Sequence, residues 1–341
     1  MSTIKTLVVV AVKHHWSLFQ VDVNNVFLHE YLDEDLYMKL PPGLTVSNSS
    51  IPMGSGDSLV ILVVYVDDIV LIGTDLKEID DLKLFLHDQF KIKDLGLLHY
   101  FLGIEVLYCD SGVLLHQTKF VHDLLVDYHC DVSSPVFCPQ ELHRKLTVDM
   151  GDPLAQPEVY CSLAALHLLR YLKGSPGLGL FFNNSAHFSL QVFCDSDWAF
   201  CPDSLRSVTG FCILLGGNLI TWKSKKQPVV SLSSAESEYR SLSKVVGELT
   251  WLSHFLSDFG MHSSLPVPVF CDSRSVIHIA KNLVFHKCTK HIELDCHFVW
   301  AKLVAGLITL HLKWLTSSRR LYLVQLTTFI FASWEFSHPP T

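Results

Sequence analysis

The 341-residue chain has no apolar run long enough to cross a bilayer. Residues 7–12 and 59–66 fall far short of the roughly 20 residues that a spanning helix needs, and Asp67 and Asp68 interrupt the second run. No secretory signal is visible, and the ten cysteines include no CxxC pair. Those absences argue against a secreted disulfide scaffold and favour a reducing, intracellular compartment, cytoplasmic or nuclear. Excess positive charge is missing too: the net charge is −8 and the pI about 6.1. The whole molecule is therefore no generic polyanion binder, and any nucleic-acid contact has to come from a local strip. The chain reads as soluble, with no membrane partner, and its length allows two or three domains with a sizeable core.

What is present is a set of carboxylates placed where apolar segments end. Asp195 follows Val192-Phe193-Cys194, Asp272 follows Val269-Phe270-Cys271, and Glu238 stands at the head of a helical stripe. Acids delivered to such places are costly to bury unless a cation compensates them, so a divalent-metal site is the first hypothesis. Two glutamates compete on the helix. Ser233 with Glu236 three residues on is a capping box, which explains Glu236 without chemistry. Steps of four and three from Glu238 reach Leu242, Val245, Leu249, Leu252 and Leu256, so Glu238 heads the inward face.

Other residues permit two readings. Arg206, Lys223, Lys225 and Lys226 offer a basic strip for nucleic acid, or the solvated end of a strand. Asp22 ends the apolar run of FQVD and on its own is a turn or cap residue. Two β-favouring runs flank Asp67-Asp68 within residues 59–73, which predicts a hairpin with those acids at its tip. His286, Cys288, His291, Cys296 and His297 invite a zinc reading, but their spacing fits no finger or ribbon.

Several phrases in order resemble the ribonuclease H domain of copia-type LTR-retrotransposon Pol polyproteins: CDSDWA, SVTGFCILLGGNLITWKSKKQ, SSAESEYRSL, FCDSRSVIHIAKN and FHKCTKHIELDCHF. The resemblance implies a five-stranded mixed sheet with flanking helices, Asp195 on its first strand, Glu238 on its first helix and Asp272 at the end of its fourth strand. It implies Mg²⁺ (or Mn²⁺) held by these acids while RNA paired to DNA is cut. His291 and Glu293, in the TKHIE phrase, become site-adjacent.

Upstream, FQVDVNNVFLHEYLDEDLYMKLPPG and the tetrad Tyr65-Val66-Asp67-Asp68 resemble the two acid motifs of copia-type reverse transcriptases. By that resemblance Asp22 and Asp67 are metal ligands of the polymerase palm, Asp68 is a supporting carboxylate, and the partner is an RNA template. Only residues 45–58 lie between the motifs, where the family carries the rest of its fingers and its palm helix. The family's fourth nuclease acid is also missing, since residues 316–341 contain no Asp.

The fold class expected is α+β or α/β. Residues 1–150 read as a truncated reverse transcriptase with palm and thumb remnants, 151–185 as a shortened connection, 186–316 as a ribonuclease H-like domain and 317–341 as an aberrant tail. The function expected is metal-dependent cleavage of RNA–DNA hybrids beside an inactive polymerase part. The alternatives are a catalytically dead nucleic-acid-binding remnant and a non-functional product.

Overall fold

The computed structural model describes residues 2–23, 59–65, 68–129, 134–136, 157–282 and 292–312. They form helices and three sheets, a mixed α and β architecture. Among them no helix is long and apolar enough to cross a membrane.

The first sheet begins after helix α1 (Ser2–Lys13) and contains β1 (Ser17–Val23), β2 (Val60–Tyr65), β3 (Asp68–Gly73) and β4 (Ile92–Leu97) in the order β2-β3-β1-β4. The expected hairpin exists: β2 and β3 run antiparallel with Tyr65 opposite Asp68. Its strands are rich in Val and Ile, whose branched side chains suit a pleated, half-buried surface. Helix α2 (Leu76–Phe90) is capped by Asp75, which accepts from the Lys77 amide at 2.8 Å, and ends at Lys91 in the left-handed region. It lays Ile79 and Leu86 on Val21, Ile69, Leu71 and Ile92.

A second sheet has the order β5-β6-β7-β8, from Tyr100–Phe101, Ile104–Cys109, Gly112–His116 and Leu180–Asn183. Helices α3 (Thr118–Asp127) and α4 (Pro157–Gly174) meet through Val121, Leu125, Leu169 and Leu172.

The third sheet has five strands: β9 (Leu190–Asp197), β10 (Val208–Leu215), β11 (Asn218–Lys226), β12 (Val267–Cys271) and β13 (Ile308–Leu312). Their order is β11-β10-β9-β12-β13. The first three pair antiparallel, and β12 runs parallel to both β9 and β13, so the sheet is mixed. Helix α5 (Ser234–Asp258) crosses β9 and β10, with α6 (Arg274–Lys281) and α7 (Glu293–Val304) beside it. The stripe Leu242, Val245, Leu249, Leu252 and Leu256 is buried along α5, as its spacing predicts.

Helix α1 belongs to this packing as much as to the first sheet. It rests on β11 and β8, and its apolar residues share one core cluster with β9 and β10. Two of its lysines are packed against the neighbouring strands and loops. Lys5 is buried with Nζ 3.4 Å from the centre of the Trp222 ring. Lys13 Nζ donates to the carbonyls of Ser185 and Gly216 at 3.0 and 3.2 Å. Gly216 has φ +54°, and a Cβ there would collide with the His187 carbonyl and the Lys13 side chain, so glycine is required. The core thus takes in Phe182 and Leu180, from the end of the segment 151–185 that the sequence reads as a connection.

Candidate metal centre

Asp195 lies inside β9, two residues before its end, rather than just beyond a strand as its apolar prefix suggests. Asp272 does follow the last residue of β12, and Ser273 beside it caps α6 by accepting from the Val276 amide at 3.4 Å. Glu238 sits in the second turn of α5. That helix starts where the capping box places it: Ser233 Oγ accepts from the Glu236 amide at 3.2 Å, and Glu236 Oε2 accepts from the Leu232 amide at 2.9 Å. Glu236 also pairs with Arg240 at 2.8 Å, which completes its structural role.

These elements bring three acids together. Asp195, Glu238 and Asp272 each present a carboxylate oxygen, and the three oxygens lie within 4.8 Å of one another. Asp195 and Glu238 are buried, and Asp272 is partly exposed. Three hard oxygen donors at that spacing, one side open, fit a Mg²⁺-, Mn²⁺- or Ca²⁺-sized cation and are a poor match for soft metals. The same charges reach the neighbouring thiols. Burial is the main cause that pushes the Cys194 thiol well up and the Cys271 thiol up to about 12, and the nearby carboxylates push the same way.

Two supports escaped the sequence reading. Ser241, one turn after Glu238 and fully buried, donates to the carbonyls of Asp195 and Gly210 at 2.8 and 3.3 Å. A small hydroxyl residue on an otherwise apolar inward face was the available signal. Gln227 is also buried, and its Nε2 donates to Ser237 O at 2.9 Å and Thr209 Oγ1 at 3.1 Å, while its Oε1 accepts from Ser231 at 2.9 Å. It ties the loop before α5 to β10 and to the helix itself. Nothing in its sequence neighbourhood announces this.

Of the polymerase-type acids, Asp22 and Asp68 are among the described residues. Asp22 faces Asp68 across the β1–β3 ladder, and Gln20 Nε2 donates to Asp68 Oδ1 at 3.3 Å. Asp68 opens β3 and so lies beside the hairpin turn. Asp67 lies outside the described residues.

The four cations Arg206, Lys223, Lys225 and Lys226 are all exposed. Lys223 pairs with Glu248 on α5 at 3.7 Å, and Lys226 Nζ donates to Cys201 Sγ at 3.1 Å. His291, with His286 and Cys288, lies outside the described residues. Glu293 begins α7 at the surface, 4.0 Å from His297, and does not join the three acids. Cys296 is buried under α7 while His297 is exposed, so these two do not converge on a zinc.

Comparison with known proteins supplies a lineage. The family described as reverse transcriptase (RNA-dependent DNA polymerase) matches residues 51–141. The chain is 29% identical over 381 residues to the retrovirus-related Pol polyprotein from transposon RE1 of Arabidopsis thaliana, covering 89% of this chain and 26% of that protein. It is 27% identical over 385 residues to the Pol polyprotein from transposon TNT 1-94 of Nicotiana tabacum, covering 88% of this chain and 29% of that one. An uncharacterized mitochondrial protein of Arabidopsis thaliana is 36% identical over 225 residues, which cover 56% of this chain and 94% of that one. The chain spans 26% to 29% of the length of those two polyproteins. Both alignments run over more positions than the 341 residues present here, so internal segments of the polyproteins are absent from this chain. On these matches the chain belongs to the copia-type retrotransposon Pol polyprotein family and carries part of its reverse transcriptase.

Proposed function

We propose that residues 186–316 form a ribonuclease H-like domain that cuts RNA paired to DNA with a divalent cation, Mg²⁺ or Mn²⁺, at Asp195, Glu238 and Asp272. The observation that carries this reading is the approach of three carboxylate oxygens, from residues far apart in the chain, to within 4.8 Å. The sheet supports it. β9 bears Asp195, the helix after β11 bears Glu238 and β12 delivers Asp272, the distribution that the copia-type resemblance implies.

When bound, the cation supplies charge neutralisation at the scissile phosphate and an activated water. The protein's own part is positioning. Ser241 fixes the Asp195 backbone, the Ser233 cap and Gln227 fix the start of α5, and Ser273 fixes the turn after Asp272. The polymerase part, residues 1–150, is proposed to be inactive. Phosphoryl transfer depends mostly on positioning the reactants, and the stretch between Asp22 and Asp67 is too short to hold the family's nucleotide pocket.

One observation favours a second reading, a catalytically dead binder: among the described residues no fourth carboxylate joins the three. The test uses the full-length chain, an end-labelled RNA annealed to DNA, and Mg²⁺ or Mn²⁺. Cleavage that vanishes in Asp195→Asn and Asp272→Asn supports the nuclease. Hybrid binding without cleavage selects the dead binder. Cleavage that persists in both variants removes the proposed site.

A further inference from the structure

Near Asp195 and Glu238 in the chain, exposed apolar residues are held by a set of hydrogen bonds. Trp198 lies three residues beyond Asp195 and is 51% exposed, although its Nε1 donates to Ser231 O at 3.0 Å. Ser231 is fixed in turn by its hydroxyl bond to Gln227, whose amide is bonded to Ser237, the neighbour of Glu238. Val230 and Leu232 flank Ser231 and are 47% and 70% exposed. The Leu232 amide is held by Glu236 Oε2 at 2.9 Å. Single exposed apolar residues carry no message, but three set on or next to one hydrogen-bonded chain that reaches the neighbour of Glu238 form a surface with a use.

The acids identify what would rest there. A phosphate that reaches them brings the adjoining nucleotides across the ledge, because Trp198 and Glu238 hang from the same buried amide network. Apolar side chains cannot pair with phosphates, so they meet sugars and base faces, and an indole is well suited to either. An A-like hybrid presents a wide, shallow minor groove that such a ledge can enter. Charge on the flank is complementary to the strands: Lys226 lies in register with Val208, the partner of Asp197, and Arg206 stands in the same β9–β10 connection as Trp198.

We propose that Trp198, with Val230 and Leu232, is a minor-groove platform for an RNA–DNA hybrid that sets which phosphate meets the acids, while Lys226 and Arg206 take flanking phosphates. The proposal rests on the nuclease reading above and adds the element that registers the substrate. Trp198 is a positioning residue in this scheme.

The test measures the affinity of the full-length chain for a fluorescein-labelled RNA–DNA hybrid in Ca²⁺, and separately maps cut sites in Mg²⁺. Trp198→Ala and Leu232→Ser should each weaken binding about tenfold, while Trp198→Phe keeps most of it. Cuts by the weakened variants should spread over neighbouring phosphates, with KM raised more than kcat is lowered. Leu232 is so exposed that its serine variant removes little buried surface and keeps the test independent of folding. Wild-type affinity in both Trp198→Ala and Leu232→Ser overturns the platform. So does self-association that Leu232→Ser abolishes while hybrid affinity is unchanged, since the ledge then serves a second copy. Cleavage is read apart from binding: a wild type that binds through Trp198 but never cuts refutes the nuclease and leaves the platform standing.

Discussion

Ser241 donates its hydroxyl to the backbone carbonyl of Asp195 across 2.8 Å. Glu238 stands three residues earlier on the same helix, so one buried hydroxyl sets the distance between a helix acid and a strand acid whose charges repel. Ser241→Ala should leave the buried Asp195 carbonyl short of a donor and lower stability by about 1–3 kcal/mol. Urea unfolding measures that loss. Mn²⁺ affinity, followed by calorimetry, should fall with it. A variant with wild-type Mn²⁺ affinity would show that the tie holds the fold and not the site.

Three carboxylates crowded within 4.8 Å strain the fold when no cation neutralises them. Asp272→Asn should therefore raise the melting temperature in EDTA, by the equivalent of about 1 kcal/mol, and abolish the further rise that Mn²⁺ gives the wild type. Equal Mn²⁺ stabilisation of both proteins would place the ion elsewhere.

Burial lowers the Lys5 pKa from its ordinary 10.5 to about 7. The unfolded chain then binds the extra proton between these values, so the Lys5 contribution to stability rises with pH across that window and is a constant penalty below pH 7. Lys5→Met should stabilise the protein at pH 7 by up to about 4 kcal/mol, less what the Trp222 face returns to the ammonium. The difference between the two proteins should shrink towards pH 10. A difference that stays constant from pH 7 to 10 would mean that Lys5 keeps its charge in the fold.

Among the described residues, Cys201 is the thiol primed to react. Ser204 beside it first, and then the Lys226 ammonium that donates to Sγ at 3.1 Å, bring its pKa down to about 7, whereas burial drives Cys194 and Cys271 the other way. Iodoacetamide at neutral pH should label Cys201 long before either of them, as peptide mapping by mass spectrometry would reveal. Lys226→Met should slow the labelling, and bound hybrid should slow it too if Lys226 meets phosphate.

Local pattern accounts for what could be read in advance. The Ser233 cap, the Glu236 tie and the stripe from Leu242 to Leu256 all follow from helical spacing over a few turns, and the β2–β3 hairpin follows from two Val- and Ile-rich runs. The grouping of Asp195, Glu238 and Asp272 around one sheet came from the order of family phrases, because hydrophobic period alone does not say which strands become neighbours. Ser241 and Gln227 went unseen because a buried hydrogen bond between residues tens of positions apart leaves no periodic trace.

By itself, the sequence determined the lineage, local elements such as the β2–β3 hairpin and helices α2 and α5, and the residue types able to hold a hard cation. Those properties reside in short stretches, where propensity and spacing are sufficient. Only the tertiary structure decided that three carboxylates share one small volume, that Trp198 stays exposed while bonded to Ser231, and that α1 covers β11 with Lys5 against Trp222, more than two hundred residues away. Such pairings are selected by the packing of the whole core, and no segment carries that information alone.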